Sequence, residues 1–306
     1  PLFADRITGF AYEPSWLAHQ LNLVYLPLWL SATLQRHSVY RWRLWRISVE
    51  NVLLVLGVVA LFFSVSRVGW LSFLLVLAVW TLARLLKWAA RLQARLVPGM
   101  PRLVQIAFHT LTAVAIFGSF IALGWGTLNL GARFEPRLQR ILERNIFQAA
   151  NVYEVFNNLE FAERVIYWDA GRRTYADHWL MGTGWGNSGF YFSQSVAPFG
   201  WMLPEVTDAI NRFSYLPNIK SLWVRILVET GLMGFAVFIG WYYLLGQSAL
   251  QARRSPNFMI QTLGTAGLFL LVAFLVEGFS IDSLALPYFW LAAGLLVAAR
   301  STACDK

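Results

Sequence analysis

Apolar residues in this chain come in blocks separated by short polar turns. Seven blocks can be drawn, at about 15–34, 48–65, 70–86, 103–126, 219–246, 258–278 and 284–299. A helix needs about 20 apolar residues, range roughly 17–25, to cross a hydrocarbon core. The third and seventh blocks are therefore marginal and expected to be short or tilted. Backbone polar groups find no water in lipid, so blocks of this length and composition can be satisfied only as helices. The pattern predicts an all-α polytopic membrane bundle of about seven transmembrane helices in one membrane domain, 1–306, with no repeat or linker.

One long polar interval breaks the pattern. Residues 127–218 lie between the fourth and fifth blocks, too long and too polar for a mere connection, and are expected to form an extracytoplasmic cap of short helices. Within it, Arg164 to Asn187 concentrates what the blocks lack. Arg164, Trp168 and Arg172 recur at helical spacing along one stripe, and Asp169 can pair with Arg173 at i, i+4. Gly182, Gly184 and Gly186 then end the helix in a turn, because glycine is costly in a helix and free to turn. A cationic, aromatic helix running into a glycine turn suits a phosphate and a sugar ring; an ordinary soluble cap is the plainer alternative.

Composition agrees with lipid as the main solvent. The chain of 306 residues is 58% hydrophobic and 13% charged, with 23 Phe, 15 Trp and a mean hydropathy of +0.52. Its net charge of +9 is explained by where the cations lie, so no nucleic-acid partner is expected. Arg36, Arg41, Arg43 and Arg46 follow the first block, and Arg84, Lys87, Arg91, Arg95 and Arg102 follow the third. Arg253 and Arg254 follow the fifth, with Arg300 and Lys306 in the tail. By the positive-inside rule these 13 of the 25 basic residues are cytoplasmic. Seven crossings then place 1–14, 65–70, 127–218 and 279–283 together on the outer face. The single Cys304 permits no intrachain disulfide. With Pro1 first and no signal-peptide pattern, the chain is expected to be the C-terminal part of a longer protein.

The unusual charges cluster on that outer side. Arg67 interrupts an otherwise apolar run, and a charge at membrane depth costs about 2.5–3.5 kcal/mol on insertion scales. Either it snorkels from a tight turn, or its guanidinium clamps a phosphate or pyrophosphate. Lys220, Arg225 and Glu229 descend the start of the fifth helix; Arg225 and Glu229 can neutralise each other at i, i+4, or the three can line an outward pocket. Glu13 precedes Pro14, where its carboxylate meets the positive end of a helix; Arg6 has no such local role. His19, His37, His109 and His178 have no metal-ligand spacing. There is also no P-loop and no GxSxG, so neither a metal nor a nucleotide cofactor is expected.

Taken in order, RITGFAYEPS (6–15), SRVG (66–69), Arg164 with Trp168, DHWLMGTGWGN (177–187) and ETGLMG (229–234) resemble the bacterial O-antigen ligase and polysaccharide polymerase superfamily. The resemblance covers most of the chain outside the basic loops. It implies a multi-spanning inner-membrane glycosyltransferase that takes glycan from undecaprenyl pyrophosphate on the periplasmic side, with further N-terminal helices absent from this chain. Arg67 and Arg164 match the family's arginines and would hold the donor pyrophosphate, with Lys220 and Glu229 as further catalytic groups. Arg6, Glu13, Trp168, Arg172, Arg225, His178, Gly184, Gly186 and Asn187 would line the substrate site, and Trp179 and Trp185 would offer faces to sugars. The ligase branch carries His-Asn nine and eight residues before Glu229; here these are Lys220 and Ser221. With the EPSW run, that departure favours a polymerase of exopolysaccharide or O-antigen repeats over a ligase acting on lipid A-core or protein. A transporter is the remaining alternative, though inverted repeats and mid-membrane charges are not apparent. Partners would be the carrier-linked donor and acceptor, membrane lipid and a chain-length regulator.

Overall fold

In the computed structural model the described residues are 6–38, 43–45, 47–96, 101–133, 139, 143, 154–155, 161–211 and 216–304. Arg41, Arg46 and Lys306 lie outside them. All seven apolar blocks are helical. The first is a rod in three parts: α1 (Pro14–Gln20), a π turn (Leu21–Tyr25) and α2 (Leu26–Gln35). A minimal antiparallel pairing of β1 (Arg43–Leu44) with β2 (Ile47–Ser48) leads into α3 (Val49–Phe63), then α4 (Arg67–Leu96) and α5 (Arg102–Ala132). The polar interval supplies α6 (Ala162–Asp177), α7 (Ser188–Ser195), a 3-10 turn (Pro198–Met202) and α8 (Pro204–Asn211). Three more apolar helices close the chain: α9 (Leu222–Ala252), α10 (Phe258–Glu277) and α11 (Pro287–Cys304). Arg67–Leu92, Leu103–Ala132, Leu222–Ala252 and Phe258–Glu277 are long and apolar enough to cross a membrane, and Val49–Phe63 is a shorter apolar helix. The fold is an all-α membrane bundle.

Two compact units divide the chain, Leu74–Glu160 and the remainder, Pro1–Phe73 with Phe161–Lys306. In the smaller unit α5 is apolar around most of its circumference. Ile106, Leu111, Val114, Phe117, Ile121 and Trp125 are all exposed, as expected of a helix whose solvent is lipid. It runs to Ala132, so the first residues of the polar interval continue the apolar helix.

The larger unit is built around α10, which packs on α2, α9 and α11. Asn257 starts α10 by accepting from the backbone N–H of Met259 at 2.9 Å, satisfying a donor the first helical turn leaves open. Its Phe274 stacks on Phe289 of α11 at 4.4 Å between centroids. Beside it, Ala18, Leu21, Leu26 and Leu61 form a buried cluster under Trp29 and Trp70. Outward faces are apolar instead: Val55, Leu56 and Val59 of α3 and Met233, Val237 and Leu244 of α9 are exposed. α9 is interrupted at Gly231, which has φ +65°. Residues 232–252 beyond the break span about 31 Å at 1.5 Å per residue, the thickness of a hydrocarbon core. Leu222–Ala252 as a whole is long and apolar enough to cross a membrane, and the 179–184 segment meets α9 at this break.

Candidate functional site

The cap joins the bundle by a backbone crossing at the α9 break. Thr183 N donates to Val228 O (3.0 Å) and Gly184 N to Glu229 O (2.9 Å), while Leu232 N and Met233 N donate back to Trp179 O (2.8 Å) and Leu180 O (3.3 Å). Backbone groups released by the broken helix are thus satisfied by the irregular 179–184 segment of the cap. The crossing requires glycine on both sides. A Cβ on Gly231 would lie 2.2 Å from Leu180 O, and one on Gly182 would lie 2.4 Å from the Glu229 carbonyl carbon.

Glu229 locks this joint. Its Oε1 accepts from Ser188 Oγ (2.7 Å) and Arg225 Nε (3.0 Å), and its Oε2 from Gly186 N (2.9 Å). The residue is almost wholly buried. Arg225 spends its Nη1 on Asp282 O. Three donors fix the orientation of this carboxylate. The pairing of Arg225 with Glu229 expected from their spacing is present, but its job is to hold the glycine turn. Gly184 and Gly186 have φ of +91° and +81°, and Asn187 closes the turn with Nδ2 on Thr183 O at 3.1 Å.

Next to the joint is a cluster of cations. Arg164, half-buried on α6, donates Nη1 to Lys220 O at 3.1 Å, its only hydrogen bond among the described residues. Lys220 holds a left-handed backbone, φ +51°, stabilised by Asn218 Oδ1 accepting from its N–H at 2.9 Å. Asn218 in turn donates to Asp282 (2.8 Å). The Lys220 ammonium pairs with Glu205 of α8 and lies 4.5 Å from the centroid of the Tyr167 ring. Burial pushes the Arg164 guanidinium below its usual value, against the opposing pull of Asp282, Glu163 and Glu13. Burial also lowers Lys220, and the neighbouring Arg164 charge adds to the effect, opposed by the same three acids. Two cations held close together and partly desolvated form a site that gains from a bound anion. Glu13 belongs to this cluster electrostatically. Its side chain makes no hydrogen bond to the α1 backbone and accepts instead from Ser15 Oγ (3.1 Å).

Arg67 is the first residue of α4 and is half-buried. It follows a turn in which Ser66 Oγ accepts from Gly69 N (3.3 Å), and Arg6 donates Nε and Nη2 to Ser64 O and Val65 O, both at 3.1 Å. Arg6, which showed no local role in the sequence, ties the segment before α1 to this turn. Arg172 stands apart from the cluster. Its side chain is 69% exposed and it shares Asp169 with Arg173. His178 ends α6 with its ring against Tyr191 at 5.0 Å. Trp168 is packed edge-on between Phe161 and Phe279, whereas Trp179 and Trp185 are exposed.

A second polar knot, absent from the residues singled out in the sequence, is tied to the Arg67 turn through Gly69. His19 Nδ1 is 2.5 Å from Glu277 Oε2, and Asn22 Nδ2 donates to both Glu277 Oε1 (2.6 Å) and Gly69 O (2.9 Å). All three side chains are buried. The π turn is what brings Asn22 to this position. Glu277 is the lone acid closing an apolar helix, the same kind of signal that drew attention to Arg67. Among the described residues no group of three or more His, Cys, Asp or Glu is placed to hold a metal ion.

In this all-α membrane bundle a broken helix is crossed by a glycine turn beside two half-buried cations. The sequence model of the O-antigen ligase family matches residues 52–239, from α3 through the cap to the α9 break. The chain belongs to that family, a multi-pass membrane enzyme of the O-antigen ligase and polymerase type. A search of curated proteins finds no match.

Proposed function

We propose that this protein is a glycosyltransferase that polymerises oligosaccharide repeats carried on undecaprenyl pyrophosphate, working at the periplasmic face of the inner membrane. The observation that carries the reading is the half-buried pair of cations, Arg164 and Lys220, placed where a lipid diphosphate would lie. Arg67, at the head of α4, adds a third cation. The lipid tail lies among the helices and the glycan projects under the cap. As the anomeric carbon–oxygen bond breaks, the departing pyrophosphate gains negative charge, and Arg164, Lys220 and Arg67 stabilise it. Fixed charge aimed at a leaving group is commonly the largest catalytic effect in such a site. Glu229 and Arg225 act indirectly by holding the glycine turn. Neither a metal nor a nucleotide enters this scheme.

Polymerase is favoured over ligase by Lys220, which stands where the ligase branch carries histidine. Its ammonium is engaged with Glu205 and the Tyr167 ring, an arrangement for holding charge. The test is complementation of a deletion strain with Arg164→Ala or Arg67→Ala. Loss of long-chain polysaccharide at normal protein level is expected; undiminished polymer rejects the assignment. Single repeats left on lipid A-core in the deletion strain indicate a polymerase, and carrier-linked full-length chains indicate a ligase.

A further inference from the structure

The cations account for the leaving group but leave the incoming hydroxyl without a base. Glu229 is committed to three donors, and Glu13 serves the cations. We propose that His19, held by Glu277, is the general base that takes the proton from the acceptor sugar; this rests on the transferase reading above. A carboxylate bound to one imidazole nitrogen fixes the ring and leaves the other nitrogen to accept a proton. Glu277 takes Nδ1 at 2.5 Å. Nε2 makes no hydrogen bond among the described residues, and the His19 side chain keeps 6% of its surface open.

Position supports the role as much as the pairing does. Ala18, next to His19, touches Gly69 so closely that a Cβ there would come within 2.7 Å of it. Arg67 is two residues from Gly69, about 3 Å along the helix axis. Asn22 bridges Gly69 O and Glu277, and Gly278, the residue after Glu277, accepts from Leu222 N at 2.8 Å. The dyad is therefore tied through Asn22 to the first turn of α4 and through the residue after Glu277 to the start of α9. An ionisable pair placed among apolar helices is costly to keep and usually functional. The groups shown around it are Glu277 of α10 and Asn22, with Tyr288 of α11 interacting electrostatically with Glu277.

In the step itself, His19 Nε2 removes the hydroxyl proton as the acceptor oxygen forms its bond to the donor's anomeric carbon. The bond from that carbon to the pyrophosphate oxygen breaks, and its electron pair leaves with the pyrophosphate. The proton passes from the imidazolium to water. Charge and atoms balance without any further reactant.

The test follows transfer kinetics against pH for the full chain in lipid nanodiscs, with a polyprenyl-pyrophosphate-linked repeat as donor and acceptor. His19→Gln should lower kcat by about 10²-fold or more, leave the donor KM within about twofold, and abolish the fall of rate at acid pH. Glu277→Gln, which preserves shape, should also lower kcat with KM kept. If His19→Gln folds with lowered thermal stability but keeps its kcat and its pH profile, the dyad is only a clamp and the proposal is overturned. Glu277→Gln at wild-type kcat overturns it equally. If the wild type transfers no glycan from this donor, the transferase reading fails and the base assignment falls with it. Active wild type with an impaired Arg164→Ala and an unaffected His19→Gln sinks the base alone.

Discussion

Two groups of charged residues lie side by side at the head of α9, and they are treated in opposite ways. Glu229 is saturated: three donors, full burial and a backbone carbonyl also taken by the cap. Arg164 is half-buried, enough to have its charge disfavoured, yet among the described residues it makes a single hydrogen bond, to Lys220 O. A saturated group has nothing left to offer a ligand and earns its place by fixing geometry. An under-satisfied buried cation costs stability unless something anionic completes it. Charge near a membrane boundary is thus no single signal; the count of partners separates the frame from the site.

The sharpest way to break this contrast is to unmake the frame. Glu229→Ala leaves Arg225, Ser188 Oγ and Gly186 N without their acceptor and should cost about 3–5 kcal/mol of stability, read as a fall in thermal unfolding temperature. Glu229→Gln, which keeps the shape and one acceptor oxygen, should cost less. Arg164→Ala should do the reverse, lowering transfer rate by about 10²–10³-fold while the unfolding temperature holds or rises. A matching loss of stability in both variants would erase the distinction. Gly182→Ala places a methyl on the α9 backbone at a position with φ +73°. About 1–3 kcal/mol of strain is expected, with faster hydrogen exchange confined to 179–187 and 228–233.

Smaller effects mark the edges of the site. Because burial and Arg164 both lower Lys220, its ammonium loses its proton below the ordinary lysine range near 10.5. Donor affinity should therefore weaken on the alkaline side at a lower pH than a normal lysine dictates. Lys220→Arg should remove that limb, which a KM-against-pH series would record. Arg172→Ala, at an exposed pair with Asp169, should change stability by less than about 1 kcal/mol and activity by less than twofold.

Much of this was legible in the chain. Apolar blocks became helices because lipid leaves the backbone no alternative, and Glu13, Arg164 and Lys220, singled out from three stretches, interact electrostatically. The Arg225–Glu229 pair was readable from spacing. Its purpose was not, since Ser188 and Gly186 come from 41 and 43 residues away. Gly182 and Gly231 each looked like an ordinary turn or helix residue; only their crossing shows why neither tolerates a side chain. His19 and Glu277 are 258 residues apart, and helical periodicity reports a buried face without saying what it meets. Arg172 lies on the expected stripe, and its exposed side chain pairs locally with Asp169.

Direct binding of a short polyprenyl pyrophosphate, measured by calorimetry on the protein in nanodiscs, tests the contrast most directly. Arg164→Ala should weaken binding by about tenfold or more, equivalent to about 1.4 kcal/mol, and Arg172→Ala should bind as the wild type does. Equal affinity in wild type and Arg164→Ala, with both proteins folded, would contradict the account.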